Sequence, residues 1–169
     1  FCYDAERSIQ QKAMHMDADW YAAVADALTR LFDDVGDHIV LREIPQIWLD
    51  RLPALPCGLQ WTRLLLQQVL LFYGKALNAR TIPALSGQGR TTLHAMLVRG
   101  DSPIETFNDV VLTYLHEEVP DQRTFEAEEL RKLLVKRRII NGNELITIMP
   151  KALKSDERVS WDSSNRNVT

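Results

Sequence analysis

The chain has 169 residues, of which 46% are hydrophobic, and its formal net charge at pH 7 is −3. A chain of this length and apolar content can bury a proper core, as one domain or as two small ones. The acidic balance argues against a dedicated binder of nucleic-acid phosphates, which normally carries a basic domain.

The two cysteines, Cys2 and Cys57, form no CxxC motif, so neither a disulfide framework nor a zinc site is indicated. We therefore expect an intracellular location, cytoplasmic or nuclear. The sequence lacks both a run of about 18 apolar residues and the pattern of a signal peptide, so we expect no membrane contact. Because it begins at Phe1 rather than methionine, we interpret it as a part excised from a longer protein.

The first predicted helix follows a segment of mixed composition, residues 1–16, which we interpret as an N-terminal arm. Asp17 is a preferred N-cap residue and Gly36 a preferred helix end, so a helix is predicted between them. Apolar residues recur on one side of this helix, as is typical of packing against a core: Trp20, Val24, Leu28, Leu31, Phe32 and Val35.

Short elements follow this helix. Residues 38–41 are predicted to form a strand, and Pro45 suits the first turn of a helix that runs to about Leu52. A strongly apolar helix is predicted from Leu59 to Lys75.

Two further strands complete a first unit, which we assign to residues 17–99. They are predicted at 79–85 and 91–98, on either side of a loop that contains two glycines. The order helix, strand, helix, helix, strand, turn, strand is that of a winged-helix domain.

Three local signals predict a second unit over residues 100–154. Ser102-Pro103-Ile104-Glu105 has the form of a capping box and predicts that a helix begins there. A helix at 125–138 begins with acidic and ends with basic residues, which matches the helix dipole. Asn141-Gly142 predicts the turn of a hairpin over 139–149.

The predicted fold class is therefore mainly α with small β-hairpins, arranged as two winged-helix-like units of which the second is abbreviated. The remaining residues, 155–169, are rich in serine and other polar residues and are interpreted as a polar tail.

The apolar helix at 59–75 carries the candidate partner-binding site. Leu64 and Leu71 are seven residues apart and fall within a polar arc that includes Gln67 and Gln68. Two leucines at heptad spacing are what a partner helix, or a second copy of this chain, would contact. In the alternative interpretation this helix is central, and the N-terminal arm or the second unit covers both leucines.

In the alternative function, the basic end of the helix at 125–138 and the hairpin at 139–149 would contact nucleic-acid phosphates, and the candidate cations are Arg131, Lys132, Lys136, Arg137 and Arg138. A winged helix can place such a helix in a DNA major groove. However, residues 101–129 hold nine Asp or Glu and one Arg, so the neighbouring surface disfavours a polyanion.

No spacing of residues predicts chemistry. The four histidines lack the i,i+3 or i,i+4 spacing of metal ligands, and no nucleophile and base pair is evident. We therefore expect no enzymatic activity, no metal and no cofactor. The sequence favours a protein-interaction or scaffolding module, with nucleic-acid binding and homodimerisation as the alternatives.

Overall fold

The computed structural model describes residues 2–3, 8–9, 16–55, 58–83, 93–118, 124–140, 156–159, 161–162 and 167–168. Contacts divide these residues into two compact units, with those through Pro103 in the first and those from Ile104 onward in the second. Each unit combines helices with a three-stranded antiparallel sheet, which agrees with the predicted class of helices and small β-hairpins. None of the helices described is both long enough and apolar enough to span a membrane.

The N-terminal segment contains two short strands, β1 (Cys2–Tyr3) and β2 (Ser8–Ile9), which pair antiparallel. The helix α1 (Ala18–Val35) then begins and ends as predicted. Asp17 Oδ1 accepts a hydrogen bond of 2.8 Å from the Trp20 amide, and Gly36 ends the helix with a φ of 91° that favours glycine. The apolar side of α1 is buried at four positions: Val24, Leu28, Leu31 and Phe32.

Strand β3 (His38–Val40) leads through a 3₁₀ turn into a short helix, α2 (Gln46–Leu49). This helix ends before the predicted Leu52. The Leu52 amide donates to the Leu49 carbonyl at 3.1 Å, an i to i+3 bond that tightens the last turn. Pro53 follows directly and cannot continue the helix.

The third helix, α3 (Arg63–Tyr73), is shorter than the predicted span of 59–75. Thr62 determines its start, because its Oγ1 accepts a hydrogen bond of 3.1 Å from the Leu65 amide. Gly74 follows its end, where a Cβ would lie 2.5 Å from the Ala79 carbonyl oxygen. The chain therefore returns close to the helix only because residue 74 has no side chain.

The sheet of the first unit contains β3, β4 (Ala79–Ile82) and β5 (Met96–Arg99), with β5 in the centre. Leu97 of β5 lies opposite Ile39 on one side and Thr81 on the other. The first three residues of the central strand, Met96, Leu97 and Val98, are fully buried. Both strands of the predicted hairpin, β4 and β5, are shorter within the described residues than the predicted spans of 79–85 and 91–98.

The helix predicted to begin at Ser102 and Pro103 does not begin there. The Ser102 amide donates to the Arg99 carbonyl at 3.2 Å, and the Ser102 carbonyl accepts a hydrogen bond of 2.7 Å from Arg80 Nη2. The backbone of Ser102 is thus part of a turn of the first unit, and the capping box predicted from the sequence does not form there.

The helix α4 (Phe107–Glu118) begins instead at a different capping box. Thr106 Oγ1 accepts a hydrogen bond of 3.4 Å from the Asp109 amide, while Asp109 Oδ2 accepts one of 2.7 Å from the Thr106 amide. This reciprocal pair has the spacing of a capping box, with aspartate in place of glutamate.

The rest of the second unit consists of β6 (Phe125–Glu126), α5 (Ala127–Lys136), β7 (Trp161–Asp162) and β8 (Asn167–Val168). Strand β8 lies between β6 and β7. The hairpin predicted around Asn141-Gly142 lies outside the described residues. The segment predicted to be a polar tail, 155–169, contains two strands, because its backbone pairs with β6 even though its side chains are mostly polar.

Candidate functional site

The predicted partner-binding face of α3 is not a continuous exposed surface. Gln67 and Gln68 are 1% and 5% exposed, so the polar arc that was predicted to face a partner is buried at its centre. Six consecutive residues, 65–70, are buried, and six residues span more than one helical turn. The middle of α3 is therefore enclosed on every side, and the N-terminal strand β1 is one of the elements that lie against it.

The two predicted anchor leucines have different environments. Leu64 is partly buried, whereas Leu71 is 48% exposed. Because buried Gln67 and Gln68 lie between them, the leucines do not form one exposed seam. Leu71 is the member of the pair that a partner could reach.

Phe72 is a candidate that the sequence reasoning missed. Its helical position predicts burial beside Val69 and Leu70, yet 46% of it is exposed. It lies in the last turn of α3, beyond the buried residues 65–70. Leu71 and Phe72 together form what we call the α3 end, an exposed apolar patch.

Phe72 is also the outermost member of a row of five aromatic rings, the aromatic row. Neighbouring ring centroids are 6.4 Å apart for Phe72 and Tyr73, 5.3 Å for Tyr73 and Tyr21, and 5.4 Å for Tyr21 and Trp20. Trp20 stacks on Trp61 at 6.1 Å with an interplanar angle of 14°. These separations lie in the range favoured by aromatic pairs, so the row is packed from a buried end to an exposed end.

The buried end of the aromatic row fixes a loop of the first unit. Trp61 Nε1 donates a hydrogen bond of 2.7 Å to the Pro53 carbonyl, and Trp20 Nε1 donates one of 2.9 Å to the Ala54 carbonyl. Two adjacent carbonyls are thus held by two stacked indoles. A buried indole normally finds such an acceptor, and here both acceptors come from one short segment.

The basic residues of α5 are mostly paired with carboxylates of the same unit. Arg131 donates to both oxygens of Glu128, with the shortest contact 2.7 Å from Nη2 to Oε1. This hydrogen bond lowers the pKa of Glu128. Lys132, one turn after Glu128, is exposed.

The end of α5 is paired in the same way. Arg137 Nε donates a hydrogen bond of 3.1 Å to Glu118, its guanidinium lies 5.0 Å from the ring centroid of Tyr114, and Lys136 Nζ is 3.7 Å from Glu118. The hydrogen bond from Arg137 is the main reason that the pKa of Glu118 is lowered. Arg138 has a φ of 57°, which places a non-glycine residue in the left-handed region. Four of the five cations therefore serve structural contacts or a helix end.

A polar network joins the turn at 156–159 to the start of α4. Arg158 Nη2 lies 2.7 Å from both Asp109 Oδ1 and Asp156 Oδ2, and Asn108 Nδ2 donates to Asp156 at 3.0 Å. The hydrogen bonds from Arg158 hold the pKa of Asp156 well below its usual range. For Asp109, partial burial opposes the change, but bonds from Arg158 and Thr106 still lower its pKa. These residues lie far apart in the sequence, so no local motif predicted the network.

Within the part of the chain that the structure describes, no three His, Cys, Asp or Glu side chains form a group that could hold a metal ion. Comparisons of the chain with protein-family models, with curated proteins and with solved structures find no match.

Proposed function

We propose that the protein is a non-enzymatic protein-interaction module and that a partner protein binds the α3 end. The observation that supports this most is the exposure of two adjacent apolar side chains, Leu71 and Phe72, at 48% and 46%. Aromatic side chains that are backed by packed neighbours are typical anchors of protein interfaces. Phe72 has such backing in the aromatic row.

We further propose that both units are winged-helix-like. In the first unit the order helix, strand, helix, helix, strand, strand supports this, as does the central position of the last strand, β5. The second unit has the same strand order, with β8 in the centre. In a winged helix the helix before the hairpin is the usual recognition helix, and in the first unit that helix is α3.

Nucleic-acid binding by α5 has less support than protein binding. Arg131, Lys136 and Arg137 already contact carboxylates, which would repel phosphates at the same surface. On α3, the helix that would enter a groove, the exposed end is apolar rather than cationic. A scaffold inside the cell that binds a protein through α3 remains the better proposal.

The test is site-specific photo-crosslinking in cells. A photoreactive phenylalanine analogue at position 72 keeps the aromatic ring of the native side chain and should crosslink to a defined protein. The same analogue at position 47 is the matched control, since Ile47 on α2 is 57% exposed but is not part of the α3 end. Addition of Leu71→Glu should abolish the crosslink, because a carboxylate would be buried at an apolar contact.

Each outcome decides between interpretations. A crosslink from position 72 to another protein, lost with Leu71→Glu, supports the module. A crosslink to a second copy of the chain makes the α3 end a homodimer surface instead. Equal crosslinks from positions 72 and 47, or none from position 72, would overturn the proposed site.

A further inference from the structure

The two sides of α3 differ in what they bury. Four residues share one side of the helix and belong to the hydrophobic core cluster of the first unit: Leu65, Leu66, Val69 and Leu70. Helical spacing places Leu64, Gln67 and Gln68 on the opposite side, which we call the glutamine side. Glutamine is mostly exposed in folded proteins, yet both glutamines are buried here. A second element therefore covers α3 on the side that faces away from the core.

The strand β1 is the element that covers the glutamine side. Among the described elements, the main contacts with α3 come from β1, from β4 and from the 3₁₀ turn at Leu41–Glu43. The last two supply Ala79 and Leu41 to the core cluster, so they pack on the core side of the helix. The glutamine side is thus left to β1.

This cover is held less firmly than the core. Within the described residues, β1 and β2 pair at two positions, Cys2 with Ile9 and Tyr3 with Ser8. A two-stranded pair is marginally stable by itself in water, so its position depends on its contact with α3. Uncovering the glutamine side exposes polar amides, whereas uncovering the core side would expose only apolar side chains. The cover can therefore open locally while the core stays folded.

We infer that the strand pair β1–β2 is an autoinhibitory cover of α3 and that an amphipathic helix of the partner protein displaces it. This inference rests on the proposed function and adds regulation of the same helix. Displacement joins Leu64 to the exposed Leu71, seven residues further along. Two leucines at this spacing form the stripe that a partner helix contacts.

The α3 end gives the partner a first contact in the covered state. Leu71 and Phe72 are exposed, and Leu71 lies one turn beyond Gln68 on the same helix. A partner helix bound at Leu71 that extends toward Leu64 meets β1, because both occupy the glutamine side. Binding along the whole helix and covering by β1 are therefore mutually exclusive.

The first test measures opening of the cover in the full chain by thiol labelling. Cys2 and Cys57 are first replaced by serine. Gln68→Cys then places a single thiol on the glutamine side, while Leu66→Cys, the matched control, places one on the core side, where the native leucine is 0% exposed. Gln68→Cys should react with the thiol reagent DTNB at least about tenfold faster, because opening of the cover leaves the core folded. Urea denaturation of both variants corrects for differences in overall stability.

Tyr3→Pro tests whether β1 is the element that opens. Proline weakens a strand pair because it has no amide hydrogen to donate. The substitution should raise the labelling rate of Gln68→Cys by about tenfold and leave that of Leu66→Cys unchanged. Equal rates at positions 68 and 66, or no effect of Tyr3→Pro at position 68, would show that β1 is a fixed part of the fold and would overturn the inference.

The second test identifies the conformation of the segment that replaces β1. Positions 64 and 71 lie about 10 Å apart along the axis of α3. Photoreactive side chains at these positions should therefore crosslink to partner residues that are about seven apart in a helix, but about three apart in an extended strand. Tyr3→Pro should raise the crosslink yield from position 64 several-fold, since it frees that position from the cover.

The outcomes distinguish this inference from the proposed function. If the cover does not open but position 72 still crosslinks to a protein, the interaction module stands and the autoinhibition is wrong. Crosslinked partner residues about three apart would contradict the partner helix. If the cover opens but neither position 64 nor position 72 crosslinks to a protein, both proposals fail.

Discussion

Single hydrogen bonds from two indoles fix the loop that follows α2. Trp61 is buried and donates to the Pro53 carbonyl, while the partly buried Trp20 donates to the next carbonyl. A hydrogen bond of this kind contributes about 1 kcal/mol net, and an unpaired buried acceptor costs more. These two side chains therefore matter for loop position as well as for core packing.

Trp61→Phe should lower the free energy of unfolding by about 1 to 3 kcal/mol, because it removes the N–H donor and leaves the Pro53 carbonyl without that bond. Urea denaturation followed by circular dichroism measures this loss. Trp48→Phe is the matched control, since Trp48 is partly exposed and its ring faces Arg51 at 5.1 Å. Equal losses in the two variants would show that ring volume, not the hydrogen bond, is responsible.

Arg138 occupies the position that helix ends usually give to glycine. Its amide donates to the Val135 carbonyl and the next amide donates to the Leu134 carbonyl, both at 2.9 Å, which is the Schellman pattern. The left-handed backbone conformation costs a residue with a Cβ roughly 1 to 2 kcal/mol. Glycine avoids this cost, but its greater conformational freedom in the unfolded chain offsets part of the gain in stability. Arg138→Gly should therefore raise the free energy of unfolding by about 0.5 to 1 kcal/mol.

The comparison for that variant is Arg138→Ala, which keeps a Cβ and should give no such gain. Thermal unfolding of both variants beside the native chain measures the difference. A lower stability of Arg138→Gly than of Arg138→Ala would mean that the side chain, rather than the backbone, determines this helix end.

At the scale of elements, local signals predicted helix ends well where no other group competed for the backbone. Asp17 and Gly36 bound α1 as expected because their groups contact α1 itself. The capping box predicted at Ser102 does not form, because the Ser102 carbonyl accepts a hydrogen bond from Arg80, which is 22 positions away in the sequence. A motif of four residues cannot report a hydrogen bond that the fold supplies from another strand.

Gly74→Ala should destabilise the connection from α3 to β4. The new Cβ would lie 2.5 Å from the Ala79 carbonyl oxygen and 2.6 Å from that of Leu70, so backbone atoms would have to move. Such overpacking costs about 1 to 3 kcal/mol. Ala76→Gly, the reverse change at a nearby exposed position, is the control, and urea denaturation of both is the measurement.

The network at the start of α4 predicts sensitivity to acid. The folded pKa of Asp156 is depressed, so its contribution to stability is present above the pKa of an unfolded Asp, about 3.9, and declines as the pH falls below that value. Thermal unfolding at about pH 7 and about pH 3 should show that Asp156→Asn destabilises the protein more at the higher pH, while part of the loss remains at pH 3 because the folded pKa of Asp156 lies well below that of an unfolded Asp.

The control for this pH experiment is Asp34→Asn, which removes an exposed carboxylate of α1. Its effect should be small at both values of pH. If Asp156→Asn costs as much in acid as at neutral pH, the network does not act through the charge of Asp156.

At the scale of the whole molecule, charge distribution argues against a nucleic-acid role. The net charge is −3, and cations of α5 contact Glu118 and Glu128. We expect binding to duplex or single-stranded DNA to be weak and detectable at low salt. Fluorescence anisotropy of the chain and of the triple variant of Lys136, Arg137 and Arg138 to glutamine measures this. Submicromolar binding near physiological salt, lost in the variant, would contradict the expectation.

The sequence predicted which helix carries the candidate site, but it did not predict which part of that helix is exposed. Helical spacing identified α3 and its unusual leucines, but a helical wheel describes one helix in isolation. It could not show that β1 lies against α3, nor that the last turn leaves Phe72 uncovered. Those facts depend on contacts between segments that are distant in the sequence.

The enclosure of α3 has a consequence for how its rotation is determined. A helix that is apolar on every side could turn about its own axis at little cost, since each face would suit the same surroundings. Gln67 and Gln68 are buried in the middle of this helix, and buried amides require hydrogen-bond partners. Rotation of the helix would separate such amides from their hydrogen-bond partners. In a coiled coil, a buried asparagine specifies the register for the same reason. Burial of the two glutamines therefore favours one rotation of α3 about its axis, and that rotation sets the direction in which Leu71 and Phe72 face.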